Sequence, residues 1–269
     1  MNSTCEFVLE ACALHKTYVH GKWWQKKSHC QAVDNVSFAL RPRETLALVG
    51  ESGCGKTTLA MCLVGLETPN SGKILIDGAN IQLLSKSERL AVRQQIQLVF
   101  QDSSGALNPR MSALEIIEEP LLLRGQCDSS KRRKLVEEMM ESVGLPAQWK
   151  HRLPHQFSGG QRQRLGIARA LVLKPKVLIL DEVFVGLDLS IQGQIANLLL
   201  DLQQMYGLSY ICISHNLALV GQIADTIAIM HSGRIVEKGS PENFQRQRSV
   251  AARSIASTHE AALSAHSGA

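Results

Sequence analysis

The sequence predicts an α/β fold on a mostly parallel sheet, and three observations carry that expectation. A continuous apolar run, Thr45-Leu46-Ala47-Leu48-Val49, stops at Gly50 and leads through a glycine-rich loop into a helical pattern. A second run, Val177-Leu178-Ile179-Leu180, ends in the paired carboxylates Asp181 and Glu182. Strand-like and helix-like segments then alternate on both sides of one long helical stretch. Runs without polar alternation fit strands covered on both faces, the habit of parallel sheets.

Taken in order, Phe7, Leu9 and Ala11 alternate with Glu6 and Glu10, a strand signal, and a turn-prone basic stretch covers 20–29. Val33, Val36, Phe38 and Leu40 mark a second strand, half buried at best. After the run that begins at Thr45 comes a predicted helix over 56–66. Ile74-Leu75-Ile76 reads as a strand that closes in a turn at Asp77-Gly78, and 96–100 as another strand. From 112 to 173 the pattern is helical, with Leu135, Met139, Met140 and Val143 at helical spacings, a single insertion into the sheet. The core resumes with strand 177–181, helix 190–206, strand 210–214, a short helix after His215, and strands near 226–230 and 234–237. No internal repeat is visible. One domain is expected over 1–244, followed at 245–269 by an Ala-, Ser- and Arg-rich tail with three arginines against one glutamate. That tail is expected to be weakly ordered, since little apolar area offsets its ordering entropy.

Composition narrows the class. The chain has 269 residues, 45% hydrophobic and 20% charged, with a mean hydropathy of −0.02, which fits a soluble globular protein and excludes global disorder. The +5 formal charge is a mild excess that by itself does not point to nucleic acid. No run approaches the roughly 18 consecutive apolar residues of a spanning helix, so any membrane role is expected to be peripheral. The first ten residues lack the basic-then-apolar order of a secretory signal. Seven scattered cysteines without a C-x-x-C pair suit a reducing compartment better than a disulfide framework or zinc ribbon.

The chemistry concentrates in three places. Gly50-Glu51-Ser52-Gly53-Cys54-Gly55-Lys56-Thr57 matches G-x-x-x-x-G-K-[ST], the phosphate loop. Its glycines let backbone N–H groups converge on an anion, and the following helix adds roughly half a unit of positive charge at its N terminus. Gly50, Ser52, Gly53, Cys54, Gly55, Lys56, Thr57 and Thr58 are therefore the candidate phosphate contacts, with Lys56 placed for the β- and γ-phosphates and the Thr57 hydroxyl for Mg²⁺. At the end of the second apolar run, Asp181 suits the metal shell and Glu182 the polarising of a water. The third place is Ser158-Gly159-Gly160-Gln161-Arg162, where Ser158 reads as a helix N-cap and the glycines expose N–H groups at a helix start. The bare S-G-G-Q pattern is equally compatible with a flexible turn.

Taken together these residues resemble the nucleotide-binding subunit of an ABC transporter, over about residues 5–244. S-G-G-Q-R is that family's signature, so Ser158, Gly159, Gly160 and Gln161 become candidate contacts to nucleotide held by another subunit. The resemblance implies that Tyr18 stacks on adenine, that Gln101 is the Q-loop glutamine and a metal contact, that Asp188 belongs to the D-loop, and that His215 is the switch histidine. It also implies an N-terminal antiparallel β subdomain beside the mostly parallel core sheet and a helical subdomain that carries the signature. Val99-Phe100-Gln101-Asp102-Ser103-Ser104-Gly105-Ala106-Leu107-Asn108-Pro109-Arg110 is similar to the F-Q-D-P-x-x-S-L-N-P-R segment of oligopeptide, dipeptide and nickel importer ATPases, with Ser103 and Ala106 as departures. The D-loop reads Val183-Phe184-Val185-Gly186-Leu187-Asp188 where many relatives have P-x-S-A-L-D, and the tail lacks the H-P-Y-T segment and cysteine cluster of many peptide importers, so no iron–sulfur cluster is expected.

The resemblance implies an ATP- and Mg²⁺-dependent ATPase that powers uptake of peptides or of nickel or metal chelates, with the two cargoes open. Its implied partners are two permease subunits, a second homologous ATPase subunit and a periplasmic or surface binding protein, at the cytoplasmic face of a bacterial inner membrane, with no nucleic acid. Two alternatives stand beside it: a soluble ABC-type ATPase acting on nucleic acid or the ribosome, and a regulatory subunit that binds ATP without hydrolysing it. Three smaller features complete the reading. Trp23 and Trp24 among Lys22, Lys26 and Lys27 read as a solvated loop, His20, His29 and Cys30 have no metal-ligand spacing, and Cys54 reads as a small filler within the phosphate loop.

Overall fold

A computed structural model of the chain describes residues 6–20, 28–100, 105, 107–125 and 128–244. The basic Trp-containing stretch 21–27, Gln101 and the tail 245–269 lie outside the described residues. In chain order come β1 (Leu9–His20), β2 (Ser28–Leu40), β3 (Thr45–Val49), α1 (Lys56–Leu63), β4 (Ser71–Ile76), β5 (Ala79–Asn80), α2 (Lys86–Arg93) and β6 (Ile96–Val99). The helical insertion supplies α3 (Ala113–Leu123), α4 (Ser129–Ser142), two short 3₁₀ turns and α5 (Gly159–Leu171). The chain then continues through β7 (Val177–Asp181), α6 (Leu189–Tyr206), β8 (Ser209–Ser214), α7 (Leu217–Val220), β9 (Thr226–His231) and β10 (Arg234–Gly239).

Two sheets result. One is antiparallel, in the order β2-β1-β4-β5, and the other has six strands in the order β10-β9-β3-β8-β7-β6. In the larger sheet every pairing is parallel except that of the edge strand β10 with β9. The apolar runs are explained by what covers each face. Along β3, Ala47 and Val49 join the core cluster beneath α3, α5 and α6, whereas Leu46 and Leu48 join the one shared with α1 and the antiparallel sheet. In the same way β7 sends Leu178 and Leu180 to the first cluster and Val177 and Ile179 to the second, and β8 divides Tyr210 and Cys212 from Ile211 and Ile213. The period-2 alternation persists, but both faces are apolar, so no polar residue marks it in the sequence.

The structure refines some expectations. Val33, Val36, Phe38 and Leu40 are fully covered; the half-burial belongs to β2 as a whole, whose Asn35 and Ser37 face outward. The helix after the phosphate loop stops at Leu63, not residue 66, because Gly65 turns to a left-handed φ of 69° and its carbonyl accepts from the Arg93 guanidinium. Helix α2 has no fully buried residue and reaches the core through the partly buried Val92, and Ser85 and Glu88 form a reciprocal capping box at its start.

Candidate nucleotide site

Strands β3, β8 and β7 are neighbours in the sheet and parallel, with Val49 opposite Ser214 and Asp181 opposite Ile213. Their C-terminal ends therefore share one edge, the usual place for ligands in open α/β sheets. The phosphate loop leaves the first, His215 follows the second, and Asp181 and Glu182 close the third.

The loop is shaped by close approach. A Cβ on Gly50 would lie 2.2 Å from the Met230 carbonyl oxygen, and one on Gly55 would lie 1.9 Å from that of Ala32. Gly55 also holds a φ of 108°, a region open chiefly to glycine. Gly55 offers no side-chain cap to α1, so the first N–H groups of that helix remain available to an anion. Lys56 opens the helix only 6% exposed, and its ammonium donates to the carbonyls of Gly50 and Glu51, each at 2.8 Å. The lysine thus braces the two ends of the loop while its charge stays beneath the N–H cradle. The Cys54 sulfur lies 3.8 Å from the same ammonium and is buried, in keeping with a filler.

Asp181 is 2% exposed. Burial raises its pKa, with a smaller push from Glu182, against which the Thr57 hydroxyl and the Lys56 charge pull down. Thr57 hydrogen-bonds the carboxyl, yet Oδ1 is buried without a partner. An orphaned carboxylate oxygen beside a hydroxyl is a donor set that fits a hard, oxygen-seeking divalent cation. Glu182 sits just beyond the strand at a left-handed φ of 52°; its N–H donates to the Ile213 carbonyl at 3.0 Å, and Oε2 lies 2.9 Å from His215 Nδ1.

A second group gathers at the start of two helices. Ser158 caps α5, its hydroxyl accepting from Gln161 N–H while Gln161 Oε1 accepts from Ser158 N–H at 3.0 Å. The S-G-G-Q stretch is therefore a fixed helix start, not a flexible turn. Asp188 caps α6 by accepting from Ile191 N–H at 3.0 Å. A Cβ on Gly160 would fall 2.6 Å from Ile191 Cγ2, so the absent side chain is what lets these two helix starts pack together. Tyr18 stands near the end of β1 opposite Cys30, with the Lys16 ammonium 5.0 Å from its ring centroid.

Sequence reasoning missed the buttress behind the loop. Gly233, at the β9–β10 turn, donates to the Cys54 carbonyl at 2.9 Å and accepts from Asp34 N–H at 2.8 Å. Nothing in the local pattern of either residue signals a contact made across the fold.

Fold and site together define a phosphate-loop nucleotide-hydrolysing cassette. The family model described as ABC transporter matches residues 33–185. The chain belongs to the ABC transporter family, as one of its ATP-binding, ATP-hydrolysing subunits. It is 47% identical to a di/tripeptide transport ATP-binding protein, DppF, of Pseudomonas aeruginosa over 81% of this chain and 68% of that one. A dipeptide transport ATP-binding protein of Haemophilus influenzae is 46% identical over 88% of this chain and 73% of its own. Among solved structures, a dimeric post-hydrolysis state of the ATP-binding cassette MJ0796 bound to ADP and Pi superposes with a TM-score of 0.76 at 28% identity, covering 87% of this chain and 98% of that one. Among the described residues no helix is long and apolar enough to cross a membrane.

Proposed function

We propose that this chain is the ATPase subunit of a peptide importer, seated at the cytoplasmic face of a bacterial inner membrane on two permease subunits, beside a second homologous ATPase and served by a substrate-binding protein. The observation that carries the catalytic part is the convergence of Lys56, Thr57, Asp181, Glu182 and His215 on one edge of three adjacent parallel strands. The cargo rests on the relatives, which are named for dipeptide and di/tripeptide transport.

The residues act as follows. Backbone N–H groups of 50–57 and the start of α1 receive the β- and γ-phosphates, Lys56 neutralises their charge, and Thr58 adds a hydroxyl at the helix start. Thr57 and Asp181, with Gln101 as a third candidate, would hold Mg²⁺. When bound, the cation supplies charge neutralisation across the phosphate oxygens. Glu182 accepts the proton of the attacking water, and His215, held at Nδ1 by Glu182, turns Nε2 towards the γ-phosphate. Tyr18 offers its ring to adenine. Ser158, Gly159, Gly160 and Gln161 close over the nucleotide of the partner ATPase, with Asp188 at the shared boundary, so that ATP joins the two subunits and hydrolysis parts them.

The test is uptake into vesicles that hold the assembled transporter, with ATP enclosed and labelled dipeptide or nickel outside. Peptide uptake that stops when Glu182 becomes Gln supports the proposal. Nickel uptake without peptide uptake overturns the cargo, and peptide uptake undiminished by Glu182→Gln overturns the catalytic assignment.

A further inference from the structure

We infer that Gln192 is a positioning residue for hydrolysis, because its carboxamide clasps the loop that joins Glu182 to Asp188. The inference rests on Glu182 being the base that activates water. Gln192 lies in the first turn and a half of α6, and its Nε2 donates to the carbonyls of Phe184 at 3.2 Å and Leu187 at 3.0 Å. One amide group therefore spends both hydrogens on two carbonyls of a single loop, three residues apart. The two acceptors also fix which way the amide points, since only the nitrogen can donate.

The other half of the side chain does nothing comparable: Oε1 is buried and has no partner. A buried acceptor left unpaired is unfavourable, so what holds Gln192 here is its donors alone. Val183 and Phe184 seat the start of the loop in the core, and Leu187 packs partly against it; the stretch between is less restrained. It contains no proline to restrict φ, and Gly186 turns through a φ of 75° with nothing near its Cβ direction. Val185 is exposed. Backbone bonds tie the two ends, from Val185 N–H to the Glu182 carbonyl at 3.1 Å and from Gln192 N–H to the Asp188 carbonyl at 2.9 Å. Gln192 ties the span between.

The consequence reaches the base through the backbone. Glu182 occupies a left-handed φ of 52°, unfavourable for a residue with a side chain. Such a conformation persists only where its surroundings over-determine it. Releasing the Phe184 and Leu187 carbonyls loosens the span from Val185 to Leu187 behind the buried Val183 and Phe184, so that the Glu182 backbone is less tightly fixed and its carboxylate is held less closely in the geometry in which it meets His215. Nucleotide binding, which depends on 50–57, is left intact.

The experiment uses the complex purified with its membrane subunits. Gln192→Met keeps the length without hydrogen bonding, Gln192→Glu keeps the shape with no donor at neutral pH, and Gln192→Arg restores donors. We expect Met and Glu to lower kcat by about tenfold or more, the scale at which small misplacement acts, with KM for ATP unchanged and only a modest fall in melting temperature from the two carbonyls left without a donor, and Arg to recover most of the rate. A kcat unchanged in both Met and Glu overturns the inference, as does a parallel loss of kcat, KM and melting temperature that Arg does not relieve. Should Glu fail to fold, the contrast of Met with Arg decides. Glu182→Gln is assayed alongside: a wild-type rate there removes the base assignment itself, whereas an inactive Glu182→Gln with a fully active Gln192→Met removes the role of Gln192 alone.

Discussion

Glu182 and His215 meet at 2.9 Å through Oε2 and Nδ1, linking the end of β7 to the loop after β8. The pair is unequal in setting, with the glutamate side chain 13% exposed and the histidine 62%. The carboxylate is thus the fixed member and the imidazole the one free to swing, and because Nδ1 is engaged, Nε2 is the nitrogen left for a ligand. Glu182→Gln keeps a hydrogen-bonding group facing the imidazole but removes the proposed base, so kcat is expected to fall by roughly 10²–10⁴-fold with ATP affinity retained. His215→Ala is expected to lower kcat as well, and the double variant to be no slower than Glu182→Gln alone, since members of one unit are not additive. Single-turnover hydrolysis of the four proteins measures the coupling; additive losses would show that the two residues act separately.

Lys56 is the next link. Its ammonium is buried and held by the Gly50 and Glu51 carbonyls. Lys56→Ala removes a positive charge and also exposes two carbonyl dipoles to the phosphates, so ATP affinity is expected to fall roughly 100-fold, the scale of a lost charged hydrogen bond. Titration with a fluorescent ATP analogue reads this directly, and undiminished binding would reject the loop as the nucleotide site.

If Asp181 holds the cation as proposed, it separates metal-dependent from metal-independent binding. Asp181→Asn keeps the buried shape and the contact with Thr57 but loses the orphaned anionic oxygen. In the presence of a chelator, wild type and variant are expected to bind ATP alike; on adding Mg²⁺ only the wild type tightens. Equal tightening in both would remove Asp181 from the metal shell.

Glycines of the loop divide by what surrounds them. Gly53 has a φ of 82° and open space about its Cβ direction, whereas Gly55 combines a φ of 108° with a backbone oxygen only 1.9 Å away. Gly53→Ala is expected to cost about 1–2 kcal/mol of backbone strain alone. Gly55→Ala must also push β2 away from the loop, so it is expected to lower the melting temperature further and to abolish ATP binding. Thermal unfolding and nucleotide titration of the two variants distinguish them, and equal damage would deny the contact with Ala32 any weight.

Much of this was legible because the site is local in sequence. Each phosphate-loop residue lies within eight consecutive positions, Asp181 and Glu182 end an apolar run, and Ser158 reads as the cap of the helix that follows it. The double-faced strands were legible for a related reason, since covering on both sides leaves them uniformly apolar. What escaped the sequence is non-local or unpatterned. The support that Gly233 and Ala32 give to the loop joins residues roughly 180 to 20 positions away, and α2 is only two turns long and sets just Val92 partly against the core. The apolar spacing carries α1 on to residue 66, whereas a left-handed glycine, Gly65, ends it at Leu63. The stretch that resembles the importer Q-loop falls at Gln101, outside the described residues, so that assignment rests on resemblance.

The buttress itself makes a prediction about nucleotide affinity at a distance. Asp34 is nearly buried and accepts from Arg234 Nε, while its other oxygen lies 3.3 Å from His15 Nδ1. Its own N–H reaches Gly233, which in turn donates to the Cys54 carbonyl of the phosphate loop. Arg234 is 67% exposed against 12% for Asp34, so the two ends of this ion pair are not equivalent. Removing the arginine discards a largely hydrated group, worth about 0–1 kcal/mol at a surface, and leaves the carboxylate with His15. Removing the carboxylate withdraws the group that anchors β2 against the hairpin, at a cost of about 1–3 kcal/mol for the partners left behind. Asp34→Ala is therefore expected to lower the melting temperature more than Arg234→Ala and to weaken ATP binding, with the fall in affinity accompanied by little change in kcat at saturating ATP. Affinity and melting temperature measured for both variants decide the point: equal effects, or an Asp34→Ala protein that binds ATP as tightly as wild type, would show that the hairpin stands beside the phosphate loop without supporting it.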